Sequence, residues 1–196
     1  MSMPPVTQAL LFANIGIFAL EYLLGLPLGA FQLWPLGGAA GHFLPWQMVT
    51  YSFLHGGALH LGVNMLALSV FGSPIERSIG SRPYLHLYMA CVFTAALVHL
   101  LVTPMIGLPA LPTLGASGGA SGLLLAFGVL FPRQRVLLLI PPIPIEARWL
   151  VLLYAAIELV LALSGKMPGI AHFAHLGGML GGALMIQYYR SRMRSP

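Results

Sequence analysis

Residues 113–131 read TLGASGGASGLLLAFGVLF, with small side chains at every position from Gly115 to Gly122, an apolar run to Phe131, and no charge. This stretch lies inside a longer one, between Arg82 and Arg133, that lacks Asp, Glu, Lys and Arg; a second such gap runs from Glu21 to Glu76. Each gap is long enough for about two bilayer crossings. The whole chain of 196 residues is 7% charged and 58% hydrophobic, with a mean hydropathy of +0.88. A soluble domain carries about a quarter charged residues, so a water-soluble globular fold is excluded and a polytopic membrane protein follows. The net charge of +5 would ordinarily prompt a nucleic-acid reading. The charges are too few and too scattered between apolar segments to support one. Cys91 is the single cysteine, so no intrachain disulfide forms.

Breaking the chain at charges and at Pro/Gly clusters gives six spans: Val6 to Leu24, Pro45 to Phe71, Pro83 to Thr103, Leu114 to Phe131, Arg148 to Ser164 and Ile170 to Tyr189. The first lacks a basic n-region and a small-residue cleavage site, so it reads as a transmembrane helix rather than a signal peptide. With six spans both termini share a side. Arg77 and Arg82 fall in the second loop, Arg133, Arg135 and Arg148 in the fourth, and Arg190, Arg192 and Arg194 in the tail; only Lys166 falls opposite. The arginine side is therefore expected to be cytoplasmic. The long first loop, LGLPLGAFQLWPLGGAAGHF, is uncharged and apolar, which suits a segment lying in the membrane interface. Residues 1–196 read as one membrane domain.

Strongly polar side chains inside spans are costly and mark functional candidates. Here they are His55, His60 and Asn64 in the second span, His86 and His99 in the third, Ser117 and Ser121 in the fourth, Glu158 in the fifth, and His172 and His175 in the sixth. His60 and Asn64 stand four apart, on one helix face; alone, the pair reads as interhelical hydrogen-bonding glue. Gly115, Gly118 or Gly119, and Gly122 form one small-residue stripe, and His175, Gly178 and Gly182 share another face. Stripes of this kind allow helices to approach closely. Close approach would carry Ser117 to His175 as nucleophile and general base, with Asn64 and His60 on a third helix as donors to a developing oxyanion. The chain has no aspartate. Glu76 and Glu146 read as loop residues, Glu21 ends the first span, and Glu158 shows no tie to the site, so a Ser-His dyad is expected. Metal ligation by His60, His172 and His175 is the weaker reading, and no metal or cofactor is expected. His42, His86 and His99 read as interfacial or packed histidines.

At these residues the sequence resembles the rhomboid family of intramembrane serine proteases. FLHGGALHLGVN in the second span, GASG opening the fourth and AHLGGMLGG in the sixth occur in the family's order. The likeness extends from about Val6 to about Ala183, and ERSIG also resembles a recurring family segment. It implies an all-α bundle of six transmembrane helices with a membrane-associated first loop, the basic bacterial form, and hence a multi-pass protein of a bacterial inner membrane. By matching position it implies Ser117 as nucleophile, His175 as base, and Asn64 and His60 as oxyanion-hole donors together with the Ser117 N–H. His55 matches a supporting histidine. The implied activity is a serine endopeptidase acting through an acyl-enzyme on membrane proteins whose transmembrane helix unwinds near its outer end. A hydrated cavity open to the extracytoplasmic side is expected around the site.

The chain departs from the family twice. The aromatic residue usual one turn after the nucleophile is Ser121 here, so either another group steadies His175 or its ring is looser. The usual Trp-Arg before the second span is Trp46-Gln47, which leaves the anchoring of the first loop open. Two other classes fit the same composition. One is a catalytically inactive relative that binds transmembrane helices; the other is a small transporter with Gly/Pro-interrupted spans. Retention of both Ser117 and His175 weighs against the first, and the lack of paired repeats against the second.

Overall fold

A computed structural model describes residues 2–36, 42–105, 111–138, 141–165 and 170–194; Lys166 lies outside them. Six long helices organise this part of the chain: α1 (Pro5–Leu24), α2 (Ala58–Ile79), α3 (Ser81–Met105), α4 (Ser117–Leu130), α5 (Ala147–Ser164) and α6 (His172–Arg194). Strands β1 (Arg135–Leu137) and β2 (Pro144–Glu146) form a small antiparallel hairpin between α4 and α5. Among the described residues α1, α2, α3 and α5 are long and apolar enough to cross a membrane by length and composition, and α4 is a shorter apolar helix. The polar and small residues of α6 have a structural reason: this helix packs against α3, α4 and α5, so much of its surface meets protein rather than lipid.

The second span begins and ends later than its hydropathy suggested. Residues 47–53 make a short separate helical segment, the chain turns at Gly56-Gly57, and α2 then runs unbroken to Ile79. Its turn at Leu68–Gly72 widens to a π-helix just ahead of Pro74. A proline removes one N–H and clashes with the carbonyl four residues back, and an expanded turn accommodates both. Glu76 consequently lies within a helix rather than a loop. It is buried and fully engaged, accepting from the Val6 N–H at 2.9 Å, the Thr7 N–H and hydroxyl each at 2.7 Å, and the Ser81 hydroxyl at 2.6 Å. A carboxylate at the first turn of α1 satisfies otherwise unpaired amides and complements the helix dipole.

This cluster ties the start of α1 to the α2–α3 corner, and Arg77 donates to the Ser2 carbonyl at the same end. Tyr189 of α6 donates to the Pro83 carbonyl, and Arg190 to the Val129 carbonyl near the end of α4. The described arginine-bearing turns thus gather at one end of the bundle, as their sequence distribution implies.

The tightest packing joins α4 to α6. A Cβ built on Gly178 would overlap the Gly118 carbonyl, and one on Gly182 would lie 2.6 Å from the Gly122 carbonyl oxygen. The neighbouring pair, Gly177 and Gly181, faces α3 instead: a Cβ on Gly177 would stand 2.7 Å from Val98 Cβ and 2.8 Å from the Thr94 carbonyl. Helix α6 therefore carries two adjacent glycine grooves, one for each neighbour. Gly182→Ala should push α4 and α6 apart and cost about 1–3 kcal/mol, as overpacking of a tight interface does. Gly16 in α1 has nothing within 4 Å of an added Cβ, and Gly16→Ala should be neutral or stabilise by about 0.5–1 kcal/mol through helix propensity. Unfolding of both variants in detergent micelles measures the contrast.

Candidate active site

The chain reaches α4 through a pinned segment. Leu33 and Thr113 exchange both backbone hydrogen bonds at 2.9 Å, and the Gly115 N–H donates to the Tyr51 carbonyl at 2.9 Å. Gly115 has φ +121°, where a side chain is strained, and a Cβ there would stand 2.7 Å from Cε1 and 2.8 Å from Nε2 of His60. Only glycine lets the backbone pass this close to His60 before Ser117 opens α4. Ser117 thus sits at a helix N-terminus, where the first N–H groups lack intrahelical partners and the dipole favours negative charge. About 20 Å of helix, at 1.5 Å per residue, separates it from the end of α4 on the arginine side.

His175 lies in the first turn of α6, the helix whose Gly178 rests on Gly118. Its Nε2 is 2.8 Å from Ser117 Oγ, so the hydroxyl proton has a direct path to the imidazole. His60 and Asn64 come from the first two turns of α2 and border the same cavity as Ser117 and His175. Asn64 is buried, and its Nδ2 has no hydrogen-bond partner among the described residues. A buried donor left open calls for an explanation, and an oxyanion beside Ser117 would supply its acceptor. His60 accepts from the Gly56 N–H at 3.4 Å and packs edge-on against buried His55 at 5.2 Å. The cavity, about 920 Å³, runs between α2 and α5 over α4. Val63, Leu66 and Val70 form one wall, Leu124 the floor, and Leu150 and Tyr154 the other wall.

Two residues that sequence reasoning left out join the site from α5. Glu158, expected to have no connection to it, holds His172 Nδ1 at 2.7 Å through Oε2 and lies 3.0 Å from His175 Nδ1 through Oε1. Tyr154, one turn earlier, places its ring 6.3 Å from that of His175 at an interplanar angle of 32°. Its hydroxyl is 2.9 Å from Ser121 Oγ, which also donates to the Ser117 carbonyl at 2.8 Å. The aromatic ring beside His175 therefore comes from a neighbouring helix, and Ser121, at the position where an aromatic was expected, holds it. The available signals were Glu158 itself, a carboxylate inside an apolar span, and Tyr154 four residues before it on the same face.

The anchoring of the first loop has a similar answer. Buried Gln47 accepts from the Trp34 N–H at 3.1 Å and the Leu44 N–H at 3.2 Å, and donates to the Ala30 carbonyl at 3.0 Å. Of the other histidines, His42 and His86 are exposed, and His99 contacts Thr103 and Thr113, the second of which lines the cavity. The histidine trio considered for metal from the sequence included His60. The groups that cluster are Glu158, His172 and His175, with one potential ligand atom each, all within 4.8 Å of one another.

The Ser121–Tyr154 contact is testable by a double-mutant cycle. Ser121→Ala and Tyr154→Phe should each destabilise modestly, with a coupling of about 0.6 kcal/mol, the mean for hydrogen bonds between membrane helices. Unfolding free energies of the two single variants and the double variant give the coupling; a value of zero removes the hydroxyl pair as the brace.

Residues 42–192 match the Rhomboid domain family. The chain is 31% identical over 176 residues to the mitochondrial Rhomboid protein 1 of Saccharomyces cerevisiae, covering 83% of this chain and 50% of that protein. It is 31% identical over 140 residues to RHOMBOID-like protein 4 of Arabidopsis thaliana, covering 71% of this chain and 33% of that one. To the Rhomboid protease GluP of Bacillus subtilis it is 30% identical over 137 residues, covering 70% and 24%. The chain thus spans half or less of the length of these relatives. With the family match spanning α2 to α6 and the bundle built around it, the chain belongs to the rhomboid family of multi-pass membrane proteins.

Proposed function

We propose that this protein is an intramembrane serine endopeptidase that cleaves transmembrane segments of other membrane proteins through Ser117 and His175. The observation that carries the reading is the 2.8 Å contact between Ser117 Oγ and His175 Nε2 at the polar end of a cavity with apolar walls. Ser117 attacks the scissile carbonyl while His175 Nε2 takes its proton. The tetrahedral oxyanion gathers donors from the Ser117 N–H, Asn64 Nδ2 and His60. His175 then returns the proton to the leaving amine, and water releases the acyl group by the reverse sequence. Val63, Leu66, Val70, Leu124 and Leu150 suit an apolar segment that has left its helical conformation and needs contact along both sides.

The arginine end is assigned to the cytoplasm by the positive-inside rule, which places Ser117 toward the opposite face. A bacterial inner membrane is the proposed setting, although Rhomboid protein 1 of Saccharomyces cerevisiae is mitochondrial. GluP, named as a protease, is a bacterial relative.

Ser117→Ala and His175→Ala should each remove nearly all turnover of a transmembrane substrate, and the double variant should be little worse, because residues acting as one unit are not additive. A fluorophosphonate should label the purified protein and fail to label Ser117→Ala. Substantial turnover by Ser117→Ala rejects the mechanism. Absence of both labelling and turnover in the wild type would favour a transmembrane-helix-binding role instead.

Asn64→Ala separates transition-state binding from packing. Loss of an oxyanion donor lowers kcat with KM nearly unchanged, by about a hundred- to a thousand-fold in favourable cases and less where His60 and the Ser117 N–H remain. A packing bond would instead cost about 0.6 kcal/mol of stability at near-normal turnover. Turnover, KM and melting temperature of the variant decide between them.

A further inference from the structure

We infer that Glu158 is the positioning residue for His175, so that the site operates as a Ser117–His175–Glu158 relay assembled from α4, α6 and α5; this rests on the protease reading above. For His175 Nε2 to accept the Ser117 proton it must be unprotonated, which places the ring hydrogen on Nδ1. That Nδ1 is buried, and a buried N–H without an acceptor is costly. Glu158 Oε1, 3.0 Å away, is the acceptor within reach. The present approach lacks the alignment of a hydrogen bond; catalytic hydrogen bonds of unliganded enzymes are often poorly aligned and tighten when substrate binds.

The carboxylate is itself held. Its other oxygen binds His172 Nδ1 at 2.7 Å, which fixes the plane of the group and turns Oε1 toward His175. Glu158, His172 and His175 are all buried, and a buried carboxylate within a span persists only where partners satisfy it. The other glutamates are engaged or placed elsewhere: Glu76 with α1, Glu146 with Arg148 at 2.7 Å, and Glu21 near the end of α1. Tyr154, one turn before Glu158, lays its ring beside the same imidazole, so a single turn of α5 supplies both an acceptor and a packing surface.

The same three groups could be read as metal ligands. Tetrahedral ligands at roughly 2.1 Å from an ion stand about 3.4 Å apart. His172 Nδ1 and Glu158 Oε2, at 2.7 Å, form a direct hydrogen bond, and a chelator separates ligation from positioning.

Glu158→Gln keeps the size of the side chain and removes its charge. Because one end of the amide is a donor, it cannot accept from both histidines. The expected result is a ten- to thousand-fold fall in kcat, KM within about twofold of wild type, a melting temperature close to wild type, and a fluorophosphonate labelling rate that falls in parallel with kcat. A merely structural role would lower the melting temperature and leave kcat per folded molecule unchanged, and that result overturns the inference. Wild-type kcat in folded Glu158→Gln beside an inactive Ser117→Ala overturns it while leaving the protease reading intact. Turnover surviving in Ser117→Ala overturns the protease reading itself. Loss of wild-type activity on chelation, restored by added metal, overturns the relay in favour of ligation. Should Glu158→Gln fail to fold, nitrogen-15 histidine spectra of the wild type answer the question. The His175 signal, identified by its loss in His175→Ala, should show an Nδ1-protonated ring with a strongly deshielded proton; an Nε2-protonated ring overturns the relay.

Discussion

The contact on which the rest depends is the meeting of two backbones, Gly118 and Gly122 of α4 with Gly178 and Gly182 of α6. Side chains at these positions would hold the helix axes farther apart, and Ser117 and His175 sit at the same ends of those helices. A bond of 2.8 Å between them tolerates almost no change in helix separation. Within a bilayer, apolar side chains gain little by leaving lipid for protein, so small residues that permit close packing take over the role that the hydrophobic effect has in water. The glycines that build the fold also set the distance between Ser117 and His175.

Polar groups are distributed with comparable economy. At the arginine end Glu76 is buried but accepts four hydrogen bonds, two of them from backbone amides of α1, so its charge stitches a lipid-facing helix to the α2–α3 corner. At the other end Glu158 is surrounded by two imidazoles. Both carboxylates are paired because an unpaired one at membrane depth is too costly. Asn64 Nδ2 is one of several buried polar atoms without a partner, and it belongs to a residue that borders the same cavity as Ser117.

Much of this was legible in the sequence because a bilayer enforces simple rules. Gaps between charges located the spans, arginine placement grouped their ends, and glycine spacing marked the α4–α6 contact together with Ser117 and His175. The two misjudged carboxylates have different causes. Glu76 reads as a loop charge, yet α1 amides satisfy it and α2 continues to Ile79. Glu158 shows no tie to the site in the sequence because periodicity along one helix does not show which neighbour its face meets. Its partners are on α6, and only the crossing of α5 over α6 brings them to 2.7 and 3.0 Å.

The two departures from the family pattern show why a motif read position by position understates what a fold conserves. Ser121 replaces an aromatic ring with a hydroxyl, and the ring reappears from α5 as Tyr154, tethered by that hydroxyl at 2.9 Å. Gln47 replaces a cation with an amide, and the amide suits loop backbone because it accepts from two N–H groups while donating to a carbonyl. An arginine offers donors only and could not accept from Trp34 and Leu44. In each case the requirement is physical, a flat surface beside His175 or saturation of the first loop's buried backbone, and any side chain on any helix that meets it will serve.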